Sequence, residues 1–352
     1  MMMNKKTKDP APPWRKILSL VLIAGGITSL FFVPWILVRI LISPLPDTVQ
    51  GQVNKAIDYG FDGIIVYVDE AGKPPAFYTA GWHDRDKKIP AYPDALFKIA
   101  SISKLYDAVA ITRLVHDHRL SLDKTVADYF PELAGRIENA EKITLRMMVQ
   151  HRSGIPNLTD TPGFWENPPQ NSKDALELIL DLPADFEPGK KHRYSNTNYL
   201  LISELIERTT GYSTFKYIRE EILTPLGLEN TFGSIHDADM DNVMSGYYVG
   251  NENDLKDVDY GSMLATAEDV GIFLRALNDG SLFEDGEEEI YSSIYVFDHT
   301  GWVPGYQSIA RYHKDIDAVV IQFNNSNGGY NWNIAEIVYR RIVKILRRQQ
   351  SS

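Results

Sequence analysis

The chain has 352 residues, of which 44% are apolar and 24% charged, the make-up of a globular protein with one large domain or two ordinary ones. Its net charge of −11 argues against a nucleic-acid partner, which needs a basic face. There is no cysteine, which excludes disulfides, thiolate metal sites, cysteine nucleophiles and a lipid-modified cysteine anchor, while leaving the compartment open.

In chain order, the first element is a hydrophobic run. Lys5, Lys6, Lys8, Arg15 and Lys16 stand against a single acid, Asp9, and are followed by an uncharged, mostly apolar stretch from Ile17 to Val38. That length crosses a hydrocarbon core and exceeds a signal-peptide core, and no small-residue cleavage site follows it. We expect residues 1–16 to be a cytoplasmic tail, 17–42 an uncleaved single-pass membrane anchor and 43–48 a linker. By the positive-inside rule the acidic remainder, 49–352, lies outside the membrane as one domain.

Val49–Tyr59 reads as a helix. Gly63–Asp69 and Ala76–Trp82 read as strands of a hairpin turned at Ala71–Pro75. The middle of the chain is helical over 102–118, 145–151, 172–181, 198–210, 214–223 and 267–278, with Thr144 and Thr266 placed as N-caps and Gly154, Gly211 and Gly280 as stops. The acidic run Glu284–Glu289 reads as a solvated loop. Three late strands follow at 294–302, 308–313 and 318–324, then a helix from about 333 to 348 with Ile334, Ile337, Val338, Ile342 and Ile345 at helical spacing. Strands at both ends and helices between them predict an α+β fold. One sheet of about five strands is assembled from distant segments, with an inserted, mostly helical subdomain at about 116–260 and a cleft between the two parts.

Without cysteine, nucleophilic catalysis falls to serine, threonine or a carboxylate. The sequence has no Gly-x-Ser-x-Gly elbow, no zinc-binding His-Glu-x-x-His and no phosphate-cradling glycine loop. It has Ser-x-x-Lys three times: Ser101–Lys104, Ser121–Lys124 and Ser213–Lys216. On a helix, residues three apart share a face, so a lysine ammonium can reach the serine hydroxyl. A serine that opens the helix also keeps its own N–H available for an oxyanion. Ser121 reads as part of a loop and Ser213 as an N-cap. Ser101 follows the apolar approach Ala95–Ala100 and begins a helix continued by Leu105, Ala108, Val109 and Ile111, which makes it the candidate nucleophile.

Tyr194-Ser195-Asn196 can aim a phenol and a carboxamide in one direction. A tyrosine, with a reference pKa near ~10, becomes a base only beside a cation, and Lys104 is the candidate cation. His299-Thr300-Gly301, read as the end of a late strand, would let a substrate backbone approach Gly301 closely, with the next N–H, that of Trp302, available to an oxyanion.

Ser-x-x-Lys, Tyr-x-Asn and a basic-Thr-Gly strand, in this order, resemble the serine β-lactamase and penicillin-binding protein family. The likeness is to its class C β-lactamase, DD-peptidase and esterase branch. Phe97–Lys104 (FKIASISK), Leu120–Lys124, Ile143–Ile155 (ITLRMMVQHRSGI), Pro225–Leu228, Ser245–Tyr248 and Ala265–Asp269 carry it further, over about 49–345. The resemblance implies an antiparallel sheet flanked by N- and C-terminal helices, an acyl-enzyme at Ser101, proton handling by Lys104 and Tyr194 (which of the two is the base stays open) and an acyl-amide contact at Asn196. It implies an oxyanion site from the N–H groups of Ser101 and Trp302, with no metal and no cofactor. Expected substrates are cell-envelope D-amino-acid peptides, small amides or esters, or β-lactams, a peptidase or esterase role ranking above a dedicated β-lactamase. The alternative is a penicillin-binding or scaffold module that does not turn over.

Two departures bear on substrate. His299 stands where the family usually has lysine; an exposed histidine gains charge only below about pH ~6.5, predicting weak, pH-dependent recognition of carboxylates. The short gap between the helix ending near Ser281 and the strand from Ile294 predicts a trimmed cleft wall.

Overall fold

The computed structural model describes residue 28 and residues 33–351. Residues 17–27 and 29–32 of the expected anchor therefore lie outside the described residues. The described part of that segment is a helix, α1 (Trp35–Ile42), which contains Arg39. Among the described residues no helix is long and apolar enough to cross a membrane. The chain divides into two units between Pro44 and Leu45.

The second unit is built on a six-stranded antiparallel sheet, one strand more than expected. Its strands are β1 (Gly63–Glu70), β2 (Ala76–Asp84), β3 (Ile89–Pro90), β4 (His299–Val303), β5 (Tyr306–His313) and β6 (Ala318–Asn324), in the order β3-β2-β1-β6-β5-β4. The first and last thirds of the chain meet at β1 and β6, where Ile64 pairs with Asn324 and Val68 with Val320. Both strands read as continuous apolar runs because both faces are covered. The extra strand, Ile89–Pro90, is an exposed pair of residues with no alternating pattern to reveal it.

On one face lie α2 (Val49–Asp58), capped by Thr48 Oγ1 accepting from Gly51 N at 3.0 Å, and the C-terminal α8 (Asn331–Gln350), which buries Ile334, Val338, Ile342 and Ile345. On the other lies the larger core, where Ile65, Tyr67, Ile321 and Phe323 meet helix α3 (Ser103–His116) and helix α6 (Ala267–Asp279). The segment from 117 to 260 carries α4 (Asn196–Thr210), α5 (Thr214–Ile218) and several other short helices and turns, among them Leu145–Val149 and Ser172–Glu177. Thr144, Ser213 and Thr266 each accept from the N–H three residues on, as N-caps do, and Gly211 and Gly280 end their helices in the left-handed region.

The region before β4 departs from expectation. Glu287–Ile294 forms a helix, α7, so the strand expected from Ile294 begins only at His299. Ile290, Tyr291 and Ile294 are the apolar positions of a helical face, and three glutamates in the first turn suit the positive end of the helix dipole. Glu284–Gly286 is exposed and non-helical, as expected of a solvated loop, whereas Glu287 is buried, accepts from Glu284 N at 2.9 Å and opens the helix. Helix α7 fills most of the short gap from which a trimmed cleft wall is expected.

Candidate active site

Ser101 sits in a single 3-10 turn, Ala100–Ile102, that leads into α3. The turn is pinned on both sides: Ala100 N donates to Ser262 Oγ at 2.9 Å, and Ile99 O accepts from Ser308 Oγ of β5 at 3.0 Å. Ala100 holds φ = 50°, an uncommon conformation for a residue with a Cβ, and one that tight surrounding packing must sustain. The strand edge explains the packing. A Cβ on Gly301 would collide with the Ile99 carbonyl oxygen and with Ser308 Oγ. Gly301 is therefore required for the nucleophile's turn to rest on β4, rather than for a substrate to approach there.

Two groups converge on the nucleophile. Tyr194 Oη lies 2.6 Å from Ser101 Oγ, and Lys104 Nζ donates to the same oxygen at 3.3 Å. Lys104 is buried, with its ammonium 5.3 Å from the ring centres of both Tyr194 and Tyr199. A buried cation with hydroxyl and aromatic neighbours is arranged to exchange a proton with them, and Ser101 Oγ is the shared junction.

Asn196 begins α4, two residues earlier than the helix expected from Asn198. Its Nδ2 donates to Asn157 Oδ1 at 3.3 Å and Thr159 Oγ1 at 3.2 Å, which commits the amide hydrogens to the protein. Its Oδ1 remains to accept from a substrate N–H. The Pro304-Gly305 turn closes the β4–β5 hairpin directly after the Val303–Tyr306 pair. The alternation that follows turns the N–H groups of Thr300 and Trp302 away from β5, toward the open edge beside Ser101. Ser101 N–H has no acceptor among the described residues. These N–H groups meet the requirement for an oxyanion site.

The other two Ser-x-x-Lys segments do no such work. Ser213 Oγ caps α5 by accepting from Lys216 N at 3.3 Å. Ser121 lies in a turn closed by Tyr129, whose hydroxyl contacts both its N–H and its carbonyl. Neither lines the cavity around Ser101, which has a volume of about 940 Å³ and admits Tyr194, Asn196, His299, Thr300 and Trp302 to its wall.

His299 differs from the exposed strand end expected of it. It is the first residue of β4, its Nδ1 lies 2.6 Å from the Thr300 carbonyl, and its ring stacks 6.0 Å from that of Tyr295, just past α7. Burial, reinforced by the Lys104 charge, pushes its pKa down to about 4. With its pKa lowered this far, His299 is expected to stay uncharged from pH 5.5 to 8, so that carboxylate recognition would be weak and independent of pH. The ratio of kcat/KM for matched esters with and without a carboxylate should be flat across that range. His299→Lys should raise it by about tenfold, the scale of one charged hydrogen bond. A wild-type ratio that climbs in acid with a midpoint near the reference histidine value, about 6.5, would show a solvated, charging His299 instead.

Sequence reasoning passed over His151, although its segment was legible as family-like. Its carbonyl accepts from Arg193 N at 3.0 Å and its Nδ1 accepts from Ser195 N at 3.2 Å, so it grips the peptides on both sides of Tyr194. The ring centres of His151 and Tyr194 are 4.3 Å apart. Burial, with repulsion from Lys104, pushes the His151 pKa down to about 3, which keeps the imidazole neutral and Nδ1 free to accept. His151 is a positioning residue for Tyr194. With φ = 53° the site suits asparagine, whose Oδ1 can replace Nδ1. His151→Asn should keep kcat within about tenfold, whereas His151→Leu should lower it by about 10²-fold with KM little changed. Equal kcat in two variants of equal Tm would remove the role.

The wall opposite β4 was also missed. Trp165 meets Trp302 edge-on at 5.4 Å and Tyr260 at 5.8 Å, giving the cleft an aromatic side. Trp165 and Tyr260 come from loops, which carry no periodicity to mark them.

An antiparallel sheet, a serine on a helix-opening turn and a lysine–tyrosine pair on its hydroxyl make up a β-lactamase-like fold with a site of the serine-hydrolase type. The chain belongs to the Beta-lactamase family, whose family model matches residues 41–293. It is 29% identical over 188 residues to Protein flp of Staphylococcus aureus strain N315, covering 52% of this chain and 38% of that one. It is 30% identical over 194 residues to a putative D-alanyl-D-alanine carboxypeptidase of Escherichia coli K12, covering 51% and 45%. The alignments thus span less than half the length of these curated relatives. Among solved structures, D-amino acid amidase from Ochrobactrum anthropi SV3 superposes with a TM-score of 0.76 at 21% identity, covering 88% of this chain and all of that one. A penicillin-binding protein from Bacillus halodurans gives 0.71 at 20% identity, covering 84% and 98%. At these identities the structures share the fold.

Proposed function

We propose that this protein is a membrane-anchored serine acyl hydrolase that cleaves amides or esters lacking a carboxylate beside the scissile bond, such as D-amino-acid amides and peptides or small esters. The observation that carries the reading is the double approach to Ser101 Oγ, by Tyr194 at 2.6 Å and Lys104 at 3.3 Å. Ser101 Oγ attacks the carbonyl while its proton passes to the lysine–tyrosine pair, and the oxyanion rests on the N–H groups of Ser101 and Trp302. The pair then delivers the proton to the leaving amine or alcohol, and water releases the acyl group by the reverse route. Asn196 Oδ1 holds the acyl-side amide. Among the residues lining the cavity, Lys104 is the only lysine or arginine, and it is engaged with the nucleophile, so no cation remains for a carboxylate.

Anchoring rests on the uncharged run Ile17–Val38 and its basic flank, with the catalytic unit outside the membrane. A membrane-impermeant fluorophosphonate applied to cells, or to spheroplasts where an outer membrane exists, should label Ser101, and the labelled protein should sediment with membranes. Label at Ser121 or Ser213, or labelling only after lysis, would overturn the reading. The second reading, a module acylated without turnover, predicts one equivalent of product from a chromogenic ester and then none.

A further inference from the structure

The cavity does not end at the nucleophile. Beyond Lys104 it continues along α3 into a recess walled by Ser103 and Asp107 of α3, Leu200 and Ser203 of α4, and Thr214 and Ile218 of α5. Ser103 and Asp107 are four apart and share one helix face. The two hydroxyls opposite are committed to each other: Ser203 Oγ donates to Thr214 Oγ1 at 3.0 Å, and Thr214 Oγ1 donates to the Ser203 carbonyl at 2.8 Å. Among the described residues nothing donates a hydrogen bond to the Asp107 carboxyl or forms an ion pair with it, and Lys104, one turn back on the same helix, acts on it through its charge alone. The other carboxylates on the cavity wall are engaged: Asp160 with Arg193 at 3.1 Å and Asp259 with His236 at 3.3 Å. Asp107 is therefore an acid without a hydrogen-bond donor among the described residues, in a half-buried recess that opens on the reacting serine.

We infer that this recess is an acyl-side subsite for a cationic amine, with Asp107 binding an ammonium carried several bonds from the scissile carbonyl. The inference rests on the proposed acyl transfer at Ser101. Six residues of helix separate Ser101 from Asp107, about 9 Å along the axis, and the aspartate side chain leans back toward the helix start. That spacing does not suit an α-amine, two bonds from the carbonyl. It suits an ω-amine such as that of a lysyl or ornithyl residue, whose methylenes would lie against Leu200 and Ile218. An ammonium also supplies what the site lacks, a donor for a carboxylate removed from bulk water. A charge at this distance contributes to choosing the substrate and takes no part in the bond changes, so Asp107 is a specificity residue.

The test uses two matched phosphonofluoridates, one with an ω-aminopentyl chain and one with a hexyl chain, and reads the rate at which each labels Ser101. Labelling needs no turnover, so the result does not depend on the acyl-enzyme being released. Burial pushes the Asp107 carboxyl up to about 7, and the measurement is therefore made near pH 8, where it is ionised. The aminoalkyl probe should label the full-length wild-type protein at least about tenfold faster than the hexyl probe, and Asp107→Asn should bring that ratio close to one. Asparagine is isosteric, and circular dichroism and Tm of the variant establish that it is folded. A wild-type ratio near one, or a high ratio that survives Asp107→Asn, overturns the subsite while leaving Ser101 as the nucleophile. Failure of both probes to label Ser101 in folded protein overturns the serine hydrolase reading itself.

Discussion

Ser101→Ala should lower kcat/KM for a chromogenic ester by about 10⁴-fold or more, with Tm changed by no more than about 3 °C. The activity loss follows from the reaction: without Oγ there is no acyl-enzyme, and what remains is oxyanion stabilisation and binding. Retention of the fold follows from the contacts. Among the described residues the Ser101 side chain bonds only to Tyr194 and Lys104, whereas its turn is held by backbone and neighbouring groups, Ala100 N to Ser262 Oγ and Ile99 O to Ser308 Oγ. Alanine is compatible with the start of a helix. Residual turnover of a tenth or more, in protein shown by mass spectrometry to carry the substitution, would place the nucleophile elsewhere.

Lys104→Ala and Tyr194→Phe should each lower kcat by about 10³-fold, and the double variant should be little worse than the more damaged single one. Both groups act on a single atom, Ser101 Oγ, and a proton relay broken at one member is not broken further at the other. Tyr194→Phe removes a hydroxyl and leaves the ring against His151, so it isolates the proton-handling role. Lys104→Ala also empties a buried position, so its Tm must be measured alongside. If the double variant instead shows the product of the two losses, about 10⁶-fold, the residues act in separate steps and the relay is wrong.

The neutral histidines lining this region connect activity to acid stability. Folded His151 and His299 resist protonation down to about 3 and 4, whereas unfolded histidine takes up its proton near about 6.5. The unfolded state therefore binds more protons below that value. Stability contributed by keeping both rings neutral is present above about pH 6.5 and is lost progressively as pH falls toward the folded-state values. The same burial that lowers the His299 pKa is expected to make the site sensitive to acid.

Local sequence determined a good deal of this protein. The apolar runs of β1 and β6, the face of α8, and the caps at Thr144, Ser213 and Thr266 depend on side-chain period and on short-range hydrogen bonds, which are written in neighbouring residues. Ser101 and Lys104 were legible for the same reason, since three residues of one helix place them together. The strand expected from Ile294 failed because Ile290–Phe297 carries apolar residues compatible with either period, and packing chose the helix up to Ile294. Tertiary structure alone decided what lies between distant segments. Tyr194 reaches Ser101 across 93 positions, His151 grips the Tyr194 loop from more than 40 positions away, and Ile99 and Ser308 meet over 209. It also decided charge. His299 looked like an exposed, titrating strand end in the sequence, and Asp107 was one polar residue among many on a helix. Burial, which no local pattern encodes, lowers the pKa of the first, and the fold leaves the second facing the cavity without a hydrogen-bond donor among the described residues.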